Sequence, residues 1–215
     1  MKLTVPTMLT LARILLIPVL VLVFYLPYQW TNFASAAVFG FAALTDWLDG
    51  WIARRFHQYS AFGAFLDPVA DKLMVAVALF LIVQGHPTPW MAFWAAVIVG
   101  REIAVSALRE WMALVGQRAT VKVAAIGKIK TIVQMVALLF LLYSVTPEKP
   151  QRPPAWMGEP IFQIGDWLLA VAALLTLWSG YEYLRAAWPH FKEGEQRSVV
   201  DTPASDSKIT GSTRE

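Results

Sequence analysis

The chain has 215 residues, 57% of them hydrophobic and 15% charged, with ten Trp and a mean hydropathy of +0.52. That composition excludes an ordinary soluble domain and reads as an all-α polytopic membrane protein. A formal net charge of +3 and a pI near 9.2 suit anionic lipid head groups, the scattered basic residues form no nucleic-acid motif, and the absence of cysteine excludes a disulfide framework, a thiolate metal site and a cysteine nucleophile.

In chain order, Thr7 is placed to cap a first helix beginning at Met8, and residues 8–25 form an apolar span interrupted by Thr10 and Arg13. Arg13 reads as a cation snorkelling to the head groups. Ala34-Ser35-Ala36 resembles a signal-peptide cleavage site, but the segment after it is itself membrane-like, so 8–25 is read as a retained span. A second segment covers about 31–52, followed by a basic turn with Arg54, Arg55 and His57. A third covers about 61–83, where Pro68 removes one backbone bond and predicts a kink beside Asp67. A fourth covers about 90–114 and carries Arg101, Glu102, Arg109 and Glu110 in its second half. After a polar basic loop at 116–122 comes a fifth at about 126–143, opening with Gly127-Lys128-Ile129-Lys130-Thr131. The proline-rich stretch 146–160 is expected to be irregular, and Asp166 to cap a sixth span at about 167–188. From His190 onward the composition is that of a disordered tail. The expected organisation is therefore a six-helix membrane domain at 1–189 and a polar cytoplasmic tail at 190–215.

Lys2, Arg54 and Arg55, Arg118 and Lys122, and Lys192 and Arg197 fall on one side of this arrangement, while the loops at 27–31 and 84–89 hold no Lys or Arg. The positive-inside rule then puts both termini and the acidic stretch 46–71 at the cytoplasmic face of the membrane, with Lys149 and Arg152 a mild exception. Trp30, Trp90, Trp94, Trp111, Trp156 and Trp188 lie near span ends, as interfacial anchors do.

The stretch 46–71, DWLDGWIARRFHQYSAFGAFLDPVAD, concentrates the chemistry. Asp46 and Asp49 lie about 60° apart on a helix, and Gly63, Asp67 and Asp71 drift only about 80°, so two helices joined by the basic turn bring four carboxylates face to face. Each unpaired Asp in a membrane costs roughly 2.5–3.5 kcal/mol on insertion scales, so something positive must sit among them. Carboxylate oxygens favour hard cations, Mg²⁺ or Mn²⁺, and four carboxylates can hold two ions about 3.5–4 Å apart, the arrangement that clamps both oxygens of a phosphoryl transfer. Gly50 and Gly63 leave room beside them, and Arg54 offers a phosphate-binding fork one turn from Gly50.

The pattern D-x-x-D-G-x-x-A-R-x8-G-x3-D-x3-D, here Asp46, Asp49, Gly50, Ala53, Arg54, Gly63, Asp67 and Asp71, resembles without a gap the signature of the CDP-alcohol phosphatidyltransferase family. The resemblance implies six membrane helices, two divalent metals on Asp46, Asp49, Asp67 and Asp71, and Asp71 as general base. It also implies a CDP site lined by Asp49, Gly50, Ala53, Arg54 and Gly63, and a homodimer. The segments PTMLTLARILLIP, REIAVSALREWMA and GKIKTIVQM are similar to the bacterial members that use CDP-diacylglycerol and glycerol 3-phosphate. That resemblance fades after residue 145. A dianionic acceptor needs cations at its own depth, and Arg101, Arg109, Arg118, Lys128 and Lys130 are the expected acceptor-phosphate set. Family members with another acceptor differ only in that pocket. A cation transporter would place its acids near mid-bilayer on several helices, whereas these gather at one interface.

Overall fold

In the computed structural model of the chain, residues 4–28, 30–56, 60–114, 125–144 and 155–200 are described, the side chains of 125–128, 155–158 and 190–200 excepted. Among them the regular structure is helical: α1 (Val5–Tyr25), α2 (Thr31–Phe56), α3 (Ala61–Gly85), α4 (Pro89–Leu114), α5 (Ala125–Ser144) and α6 (Ala155–Val200). A helix satisfies its backbone groups internally, which is what an apolar chain with little side-chain hydrogen bonding requires.

The first five helices fall within a few residues of their predicted bounds, and the ends show why the differences arise. Thr4, not Thr7, precedes α1, because Pro6 sits comfortably in a first turn whose N–H groups lack partners anyway. Thr7 lies inside the helix, and its hydroxyl is 2.9 Å from that of Thr4 and 2.7 Å from that of Ser60. Ser60 caps α3, accepting from the Gly63 N–H at 2.9 Å. Pro68 lies within α3, which remains a single helix. The largest departure is α6. It begins at Ala155, so Asp166 stands inside it and caps nothing. Prolines just before a helix, here Pro153 and Pro154, suit its start as well as they suit a loop. The helix continues past Pro189 to Val200, into the segment expected to be tail, while 201–215 and most of the 146–160 loop lie outside the described residues.

Helix α3 is central, packed against α1, α2, α4 and α5, and α6 lies on α4 and α5. Consecutive helices on short connections run antiparallel, so the second half of one meets the first half of the next. Leu20 and Phe24 of α1, Phe39 of α2, Leu79 and Ile82 of α3 and Ile98 of α4 therefore form a dry core at one end. The buried charged groups lie at the other, Arg13 of α1, Asp49 of α2 and Lys130 of α5, with Thr7, Thr10, Thr45, Gln134, Thr176 and Ser179; Thr31, Asn32 and Ser35, at the start of α2, are neutral polar groups buried at the first end. The outer surface is apolar, with Leu15, Leu22, Phe33, Phe41 and Phe80 all exposed. Such a surface suits lipid rather than water. Val5–Tyr25, Pro89–Leu114 and Glu159–Pro189 are long and apolar enough to cross a membrane. Trp30, Trp90 and Trp188 are exposed as anchors would be, but Trp94 is buried, its ring 4.8 Å from that of Trp90.

Candidate active site between two cavities

At the polar end, α2 and α3 bring together the four carboxylates that their spacing predicts. Asp46, Asp49 and Asp67 each offer an oxygen within 4.8 Å of the others. The positive group among them is Arg13. Its side chain is only 1% exposed, with Nη1 3.0 Å from Asp46 and 3.5 Å from Asp67 and also bonded to Asp71, while Nη2 bonds Asp49. Arg13 does not snorkel outward. Thr7, Thr10, Arg13, Ile17 and Leu20 form the inward stripe of α1, and four carboxylates facing that stripe outweigh hydration by head groups. Thr10 adds a bond to Asp67 at 3.4 Å.

The carboxylates form a partition between two cavities. On one side a space of about 270 Å³ is lined by Asp49, Gly50, Ala53, Arg54, Gly63 and Asp67, with Thr7, Thr10 and Ser60 on its wall. Every position expected at the CDP site therefore opens onto one space. The Arg54 guanidinium folds back over Gly50, where an added Cβ would lie 3.3 Å from Nη1. At Gly63 a Cβ would lie 2.7 Å from the Thr7 hydroxyl and 2.8 Å from that of Ser60, so only glycine allows α1 this close. On the other side a larger space of about 460 Å³ lies between α3, α4 and α5. Asp46, Asp71, Lys72 and Glu102 line it beside Thr131 and Gln134, and the rest of its wall is mainly aliphatic.

The expected acceptor cations are placed unevenly. Arg101 donates to Ser179 at 2.8 Å and to Glu102 at 3.3 Å, and Lys130 donates to the same Glu102 oxygen at 3.3 Å. Their side chains are only 8% and 7% exposed. Arg109 lies over the Tyr183 ring, 5.7 Å from its centre. None of these three lines the larger cavity; Glu102 links Arg101 and Lys130 to it. Arg118 and the Lys128 side chain lie outside the described residues. The sequence reading did not assign Arg13, Lys72 or Glu102 to the site. A demand for positive charge among the acids pointed to a group like Arg13, and a lysine in an apolar helix was itself a signal.

The carboxylates fit divalent metal. Three oxygens stand at bridging distance, and four carboxylates against one guanidinium leave an excess of three negative charges.

The model of the CDP-alcohol phosphatidyltransferase family matches residues 3–178. A Pseudomonas fluorescens protein named CDP-diacylglycerol–glycerol-3-phosphate 3-phosphatidyltransferase is 51% identical over 196 residues, which cover 91% of this chain and 95% of that protein. Proteins of the same name from Escherichia coli strain K12 and Shigella flexneri serotype 5b are each 51% identical over 187 residues, covering 87% of this chain and 96% of the relative.

Proposed function

Because the chain belongs to the CDP-alcohol phosphatidyltransferase family, we infer from its site that it transfers the phosphatidyl group of CDP-diacylglycerol to the 1-hydroxyl of sn-glycerol 3-phosphate. The products are phosphatidylglycerophosphate and CMP, a step of phospholipid biosynthesis. The observation that carries this reading is the partition: one cavity with the nucleotide-site residues, a second beside Asp71, and the acids between them. In-line transfer needs donor and acceptor on opposite faces of the reacting phosphorus.

In this reading Arg54 steadies the diphosphate of the donor, Gly50 and Gly63 let it approach the backbone, and its acyl chains stay in the lipid. Asp71 takes the proton of the acceptor hydroxyl as that oxygen bonds to phosphorus, and the bond to CMP breaks on the opposite side. Two divalent cations, Mg²⁺ or Mn²⁺, held by Asp46, Asp49, Asp67 and Asp71, would neutralise the charge that develops on the phosphate and on CMP. Arg101, Arg109 and Lys130, with Arg118 and Lys128 from the same part of the sequence, give the acceptor side its positive field.

The remaining parts of the reading are six membrane spans, a site facing the cytoplasm of a bacterial inner membrane, and a homodimer. The basic residues at one set of loops support the orientation. Mass measurement in detergent tests the dimer. The activity is tested by CMP release from CDP-diacylglycerol with Mg²⁺, offering glycerol 3-phosphate, phosphatidylglycerol, serine or inositol phosphate. Turnover with glycerol 3-phosphate alone, lost in Asp71→Asn, is expected. Turnover with a different acceptor overturns the acceptor assignment and leaves the metal site standing.

A further inference from the structure

The larger cavity must admit a dianion, yet three of its lining groups are carboxylates. Two of these, Asp46 and Asp71, are engaged by Arg13. The third, Glu102, faces Arg101 and Lys130 at 3.3 Å each. Those cations are committed to neutralising Glu102, and Arg101 is further tied across to Ser179. Arg109 stacks on Tyr183, and Arg54 belongs to the opposite cavity. Lys72 differs from all of them. It follows Asp71 on α3, is half-buried, lines the cavity, and has no ion pair or hydrogen bond among the described residues. An ammonium left unpaired in an apolar helix is costly unless a ligand completes it.

Building on the acceptor assignment above, we propose that Lys72 is the residue that directly binds the phosphate of the acceptor. Its three donors are open to phosphate oxygens, and its place next to Asp71 fixes the phosphate on the same wall as the base. Glu102 has a positioning role. By holding Lys130 and Arg101 back it leaves Lys72 as the contact and keeps the mouth from attracting every anion.

The test compares glycerol 3-phosphate with glycerol, the same acceptor without the phosphate, in the full-length protein with CDP-diacylglycerol and Mg²⁺. Lys72→Gln is expected to raise KM for glycerol 3-phosphate about tenfold or more and to cut the preference for it over glycerol, as a ratio of kcat/KM values, by a similar factor. KM for CDP-diacylglycerol should move less than about twofold, and Lys72→Arg should restore part of the preference. Equal losses with both acceptors would show that Lys72 acts through Asp71 or the fold, and would overturn the proposal. A second measurement needs no variant: amine acylation of the unmodified protein, read by mass spectrometry, should be slowed at Lys72 by glycerol 3-phosphate and not by glycerol. Labelling unaffected by saturating glycerol 3-phosphate overturns the proposal as well. Failure of the unmodified protein to use glycerol 3-phosphate, with turnover of another acceptor, refutes the acceptor assignment itself and is separable from either result.

Discussion

Arg13 shows what a single residue decides here. One guanidinium bridges acids from two other helices, with two of its nitrogens shared among four carboxylates, and it is nearly inaccessible. Removing one partner of such a buried set leaves charge uncompensated, which typically costs about 3–5 kcal/mol. Arg13→Gln is therefore expected to lower stability by that order in detergent with a chelator, measured by denaturant unfolding, and added Mg²⁺ should narrow the gap because metal then supplies the missing positive charge. Arg13→Lys should recover only part, since a point charge cannot present two nitrogens in a fixed fork. An equal loss with and without Mg²⁺ would place the role of Arg13 in packing alone. The sequence stated the demand for a cation but not its source, because the stripe that turns Arg13 inward matters only once α1 lies against α2 and α3.

Among the elements, the junction of α1 with the start of α3 sets the shape of the smaller cavity. Thr7 bonds Ser60, Ser60 caps α3, and Gly63 leaves the gap in which both hydroxyls sit. A methyl group at Gly63 would stand 2.7 Å and 2.8 Å from those hydroxyl oxygens. Overpacking of this kind costs about 1–3 kcal/mol. Gly63→Ala is expected to displace Thr7, narrow the cavity and raise KM for CDP-diacylglycerol about tenfold, with little change for glycerol 3-phosphate. Steady-state kinetics varying each substrate in turn checks this; a matching rise for both substrates would count against separate cavities. The sequence marked Gly63 through its place in the motif and Thr7 only as a cap for the first helix, and it assigned Ser60 no role. The pairing of Thr7 with Ser60 joins residues 53 positions apart, which no local pattern reveals.

Across the whole molecule, the polarity gradient along the bundle predicts its orientation. One end holds Leu20, Phe39, Leu79 and Ile98 and only neutral buried polar groups such as Thr31 and Ser35, and the other holds the acids and their cations. The chain has no cysteine, so single introduced cysteines report cleanly. Pro87→Cys, between α3 and α4, is expected to react with a membrane-impermeant maleimide in intact spheroplasts, and Ser207→Cys near the C-terminus only after permeabilisation. The reverse pattern would invert the topology and put the site outside. Sequence by itself determined that the chain is helical and apolar, where five of the helices lie, and that Asp46 with Asp49, and Gly63 with Asp67 and Asp71, share helix faces, because those follow from local period and composition. Only the tertiary structure decided that Arg13 joins the acids, that the acids divide two cavities, and that Arg101 and Lys130 are bound to Glu102 while Lys72 is not. Those outcomes depend on which helix lies against which, and charge pairing across helices is settled by distance in space, not by separation along the chain.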